Sequence, residues 1–493
     1  MEEFLERFPR VGEEIFKKLD NENLAKCREV SRSQYKFLEE SKVLWRRMIE
    51  KYSANNMEFK NAWKLVVERV PVRNVKELAI AVEQFYSFVP HRIEHQHSPH
   101  HIAAGHGSLS LCKFIFERTR LLNPARADGF TGLHFATQAG RFDVCEYLIK
   151  YLDGEDKNPK DEDGCTPMHL AAQVGDYEIC KVFIDHGANP NPTDNKGISP
   201  LQLASINGKF EAFKLIVETQ NEKNPVLGNT DGRTLLQVVA GAGHLEVFRY
   251  IAQGLESCNP SCDSGYTPLH DAAAFGNLEI VKYITDKLKD KNPNALHGVT
   301  PLHIAAKNGH LKVFEYIANS VSDLNLMESD CPAAPLHLAA FEGHFEIVKY
   351  ITGIVKDKNP PKDADITPLH VIAEKGHLEI YKYIADQVTD KNPIRIDKRT
   401  PLHIAVENGH IEIVKYIMDV IDDKNPNDLE GQTPMHLAVQ KGNYYICKVL
   451  INHGADPNPT DNEEISALDL ANSNQRWNQE IRDLILKTQR REN

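Results

Sequence analysis

Histidine is the residue best able to do chemistry in this chain, which holds 22 of them. Its ring titrates near neutral pH, shuttles protons and ligates metals. Nine stand at the fourth place of a recurring string, Thr-Pro-Leu-His: His101, His134, His169, His270, His303, His337, His370, His403 and His436. Six more follow a glycine, as in Gly309-His310 and Gly343-His344. A metal site needs several rings converging on one point, and a steady translation of about 33 residues keeps equivalent rings apart. A neutral ring can accept one hydrogen bond and donate another, so this regular set is expected to join backbone groups of neighbouring turns. His91, His95, His97 and His100 bunch together ahead of the array. No metal is expected there.

The other reactive side chains point the same way. The nine cysteines are neither dense nor regularly paired. Cys145, Cys180 and Cys447 fall on apolar helical stripes, where cysteine acts as a small core residue. Cys258 and Cys262 flank a hairpin beside Cys331, too few for a zinc tetrad. Free thiols imply a reducing compartment, cytoplasm or nucleus. No Gly-x-Ser-x-Gly, His-Glu-x-x-His or phosphate-cradling lysine loop occurs. The chain is therefore read as a non-enzyme, with no catalytic residue, cofactor or metal.

The elements that carry these residues repeat. Thr, Ser or one Ala opens the string at residues 98, 131, 166, 199, 234, 267, 300, 334, 367, 400, 433 and 466. In the unit from Thr367 to Thr400, Thr367 can cap a helix and Pro368 suits its first position. Leu369, Ile372 and Ala373 give an apolar face, and Gly376 ends the helix. A second helix spans His377 to Ile384, and Lys391-Asn392-Pro393 breaks it before a polar hairpin. Helices this short cannot bury a face alone, and Ala305-Ala306 and Ala339-Ala340 allow close approach, so stability must come from stacking. Thr234-Leu235-Leu236-Gln237 lacks both Pro and His and is the weakest unit inside the array. Ser466-Ala467-Leu468-Asp469 lacks them too and opens the closing cap.

This pattern resembles the ankyrin repeat, whose signature includes Thr-Pro-Leu-His-x-Ala at this period. The likeness runs from about residue 95 to 493. It implies an all-α solenoid of about twelve helix-pair repeats, with a concave face of hairpin tips and first helices. The positions that vary would look onto that face. Among them, Tyr266, Phe275 and Phe341 would be exposed aromatics, the usual anchors of an interface. Arg395, Lys398 and Arg399 would make a basic spot in an otherwise acidic array. These are the candidate client-binding residues.

The N-terminal stretch differs. Residues 1–52 hold short apolar-anchored helices, and 53–95 read as a helical adaptor rather than a flexible linker. The solenoid with its capping helix takes 96–493. Phe8-Pro9, Ile15-Phe16, Leu19-Asp20, Leu24, Cys27-Arg28, Val30 and Leu44-Trp45-Arg46 resemble the F-box, although Gln34 stands where that family usually has Trp. The resemblance implies docking to a Skp1-like adaptor and cullin ligase core through Pro9, Ile15, Phe16, Leu19, Leu24 and Trp45. The chain is then expected to be a substrate receptor of an SCF-type E3 ubiquitin ligase, its repeats holding an unidentified client. The other reading is a non-ligase ankyrin scaffold with a structural helical cap.

Charge bears on the partner. The chain carries 58 Lys+Arg against 70 Asp+Glu, while residues 1–96 carry 18 against 16, so the acidity belongs to the repeats. That disfavours nucleic acid and favours a basic protein surface. No apolar run is long enough to span a membrane.

Overall fold

The structure is a computed structural model that describes residues 98–227, 232–321, 324, 333–473 and 479–492. The F-box-like stretch 1–52, the adaptor 53–95, and His91, His95 and His97 lie outside the described residues. Within them the fold is an all-α solenoid of about a dozen helix pairs. Isolated β-bridges close some hairpins, as at Lys362 and Ile366.

The unit that starts at Thr400 shows why these residues fold this way. Thr400 is extended (φ −109°, ψ 165°) and caps the helix Pro401–Glu407. Proline at the first position has no N–H to leave unpaired. The second amide, Leu402 N–H, donates to Asn392 Oδ1 at 2.9 Å. That asparagine, in the Lys-Asn-Pro break, therefore caps the next helix from ten residues upstream. The second helix, Ile411–Val420, turns Ile413, Val414 and Ile417 inward. Leu402, Ala405 and Val406 meet them from the first helix, all fully buried.

Contacts divide the chain into two units, and the division falls in the repeat that opens at Thr234. Unit 1 comprises Met1–Thr230 with Arg249–Gly254. Its described helix pairs run from Pro99–His106 to Phe210–Glu218, first helices packing on first helices and second on second. Their apolar faces form one continuous core, in which Ile102, Ile115, Leu133, Ile149 and Phe183 are wholly buried. Unit 2 comprises Asp231–Phe248 with Leu255–Asn493 and repeats the same pattern to a closing helix, Gln479–Glu492. Here aromatic rings tie second helices together edge to face, as Phe314 does with Tyr350 and Tyr381 with Tyr416, each at 5.9 Å.

Several first helices end on a left-handed glycine, as expected for Gly376 (φ +85°). The position also leaves room for the next repeat. A Cβ on Gly376 would lie 2.5 Å from His410 Nδ1, and the same ring bonds Glu374 O through Nε2 at 2.9 Å. Gly376→Ala is therefore expected to cost about 2–3 kcal/mol, from left-handed backbone strain and the displaced ring. Gly353, helical with open space around its missing Cβ, is the control. There alanine should stabilise by roughly 0.5–1 kcal/mol. Urea denaturation of both variants measures the contrast, and equal effects would contradict this packing.

Candidate protein-binding surface

The recurring histidines are the first group to place. His403 Nδ1 accepts from Thr400 N–H at 3.2 Å, and its Nε2 lies 3.2 Å from Gln432 O in the following hairpin. A carbonyl only accepts and an amide only donates, so Nε2 carries the proton and the ring is neutral. His134, His270 and His370 make the same pair of bonds, to Cys165, Val299 and Arg399 respectively. Burial pushes these rings down to about 4, partly opposed by the bond to the next hairpin. Each ring thus joins one repeat to the next. None is poised to exchange protons near neutral pH.

Three repeats lack the histidine, with Gln202, Gln237 and Asp469 in its place, and Gln202 Oε1 accepts from Ser199 N–H at 2.6 Å. Gln237 Oε1 accepts from Thr234 N–H and its Nε2 donates to Tyr266 O, each at 3.0 Å. An amide has the same acceptor and donor as a neutral imidazole. In the last helix pair Asp469 accepts from Ser466 N–H at 3.0 Å. A carboxylate supplies the acceptor alone. The Ser466 hydroxyl and amide hold the Asp469 carboxyl below the usual carboxylate range.

The cysteines behave as core. Burial raises the Cys145, Cys180 and Cys447 thiols to about 12, far from the reactive thiolate. Among the described residues no group of three or more His, Cys, Asp or Glu could hold a metal. No helix among them is long and apolar enough to cross a membrane.

What varies from repeat to repeat is the hairpin and the end of the first helix. Successive hairpins are linked by backbone bonds: Ile396 N–H to Ala364 O at 3.2 Å, Leu429 N–H to Asp397 O at 3.0 Å and Asn462 N–H to Glu430 O at 3.1 Å. The tips form an ordered row whose side chains are free to differ.

The sequence-derived client residues divide on this frame. Phe275 is 66% exposed, its ring over Gly241, where a Cβ would approach to 3.2 Å. Tyr266 and Phe341 are half-buried, which corrects the expectation that all three aromatics stand free. Tyr266 packs on the His270 ring at 5.1 Å, and Lys375 Nζ sits 4.1 Å over Phe341. The basic spot is corrected too. Arg395 grips Asp397 with two bonds at 2.6 and 2.7 Å, and Arg399 pairs with Glu407. Only Lys398 of the three is exposed, on a left-handed backbone (φ 59°). The predicted Skp1 contacts Pro9, Ile15, Phe16, Leu19, Leu24 and Trp45 lie outside the described residues.

Sequence reasoning missed Asp271, a buried carboxylate on a first helix that pairs with Arg233 of the preceding hairpin. An acid amid Ala-rich helix positions was its only signal.

The comparisons agree with this geometry. A family model of ankyrin repeats in three copies matches residues 75–161, 149–226, 201–295, 285–362 and 336–428, and a single ankyrin repeat matches 430–462. The chain belongs to the ankyrin-repeat family. Ankyrin repeats are non-catalytic scaffolds, and the array is a protein-interaction module. Among solved structures, the crystal structure of the human ASB11 ankyrin repeat domain is similar. It is 23% identical, with a TM-score of 0.38, over 45% of this chain and 97% of that one. No curated protein matches the ankyrin-repeat chain.

Proposed function

We propose that this ankyrin-repeat protein is the substrate receptor of an SCF-type E3 ubiquitin ligase. The observation that carries the client-binding half is the row of hairpin tips. Its backbone is linked repeat to repeat while its side chains vary, and the rings behind it are held neutral in structural bonds. The ligase half is supported by the N-terminal residues alone, Phe8-Pro9, Ile15-Phe16, Leu19, Leu24 and Leu44-Trp45-Arg46. Catalysis in this scheme is proximity: the client is held near a ubiquitin-loaded enzyme supplied by other subunits. The buried free thiols suit a reducing compartment, so we place its action in the cytoplasm or nucleus.

Capture by purified Skp1 tests the ligase half. Full-length chain should bind, and Phe16→Ala with Trp45→Ala should weaken binding by about tenfold or more, as expected for apolar anchors. Raised salt should change this contact little. Absent binding, or binding indifferent to the double substitution, would leave the non-ligase scaffold.

A further inference from the structure

Four successive hairpins span 362–366, 395–399, 428–432 and 461–465. Among earlier repeats the residue after the opening of each turn is polar at Glu162, Asn195 and Asp263, and a single leucine, Leu296, 55% exposed, stands there in the hairpin 295–299. In two adjacent hairpins it is instead Ile396 and Leu429, 70% and 56% exposed, with Ile394 alongside at 65%. They lie in one row because Ile396 N–H bonds Ala364 O and Leu429 N–H bonds Asp397 O. Aliphatic side chains this open gain nothing from folding, so burial awaits a partner.

Charge identifies the partner's chemistry. Arg395 and Arg399 are consumed by Asp397 and Glu407, which leaves Lys398 as the exposed cation of these tips. Around it Asp363, Asp365, Glu430, Glu463 and Glu464 are exposed, and among the described residues none is in an ion pair. An acidic partner would meet like charge here, and a purely polar one would leave the aliphatic row wet.

We propose that the row Ile396–Leu429, with the carboxylates on either side, binds a client segment that alternates aliphatic with lysine or arginine side chains. The aliphatic residues cover Ile394, Ile396 and Leu429. The basic ones reach the carboxylates of the flanking tips. This deepens the receptor reading and rests on its client-binding half.

The test is fluorescence anisotropy of the full-length chain with a labelled synthetic peptide of alternating leucine and lysine. Leucine–glutamate and serine–lysine peptides are the comparisons. The leucine–lysine peptide should bind about tenfold or more tighter than either, and more weakly as salt is raised. Ile396→Ser with Leu429→Ser, and separately Glu430→Lys with Glu463→Lys, should each weaken it by about tenfold. Circular-dichroism melts matching wild type would show that these exposed substitutions leave the fold intact. If one pair unfolds the chain, the other decides. No binding, equal binding of the leucine–glutamate peptide, or indifference to both folded double variants would overturn the proposal. Skp1 capture on the same preparations separates the two ideas: lost peptide binding with intact capture sinks only this site, and the reverse sinks only the ligase reading.

Discussion

His403→Ala is expected to destabilise its part of the array by about 3–5 kcal/mol, while His403→Gln is expected to cost about 1 kcal/mol. The alanine variant opens a cavity where a wholly buried ring stood. It also strands two backbone groups, Thr400 N–H and Gln432 C=O, that the ring nitrogens satisfy. Glutamine can serve both, as Gln237 does between Thr234 and Tyr266. Repeat arrays open in pieces, so hydrogen exchange at the Thr400 amide is the direct measurement. Protection should collapse in the alanine variant and survive largely in the glutamine one. Similar protection in both would show that the ring's volume, and not its paired nitrogens, is what the site requires.

Acid should unfold the array well before carboxylate titration alone would. His134, His270, His303, His337, His370 and His403 are each lowered from 6.5 to about 4, with burial as the main cause. Between those values the unfolded chain takes up protons that the folded chain refuses. Stability is thus fully present above pH 6.5 and is lost as pH falls toward 4, by about 3 kcal/mol per ring. Urea midpoints across that window should fall steeply. His370→Gln with His403→Gln should give a shallower decline, since two titrating rings are gone. A profile flat from pH 7 to 5, or one unchanged by the substitutions, would refute the neutral ladder.

His303 and His337 show what the ladder loses when a repeat departs from pattern. Ala334 replaces the capping Thr, and His337 Nδ1 is buried without a hydrogen-bond partner. His303 Nε2 is also without a hydrogen-bond partner among the described residues, and residues 325–332 lie outside them. His337 still bonds Ile366 O through Nε2 at 3.0 Å. The link forward therefore survives loss of the cap.

Much of the fold was legible because its decisive contacts are short-range or repeat at one period. Thr367 as cap, Pro368 in the first turn and Gly376 at the end follow from local backbone chemistry, and each is found in that role. The reading of the string histidines as structural followed from spacing. Their second partner became visible only when one repeat was seen against the next. The binding surface was less legible. Arg399 reaches Glu407 and Arg233 reaches Asp271, pairs joining a hairpin to a helix that no period encodes. Those pairs turned an expected basic spot into an acidic, aliphatic one.

The amino-acid sequence by itself determined the repeat and its helix boundaries, because each unit's backbone needs are met by residues at set offsets. Only the tertiary structure decided which variable side chains remain free, since exposure and charge pairing depend on how neighbouring hairpins and helix ends meet.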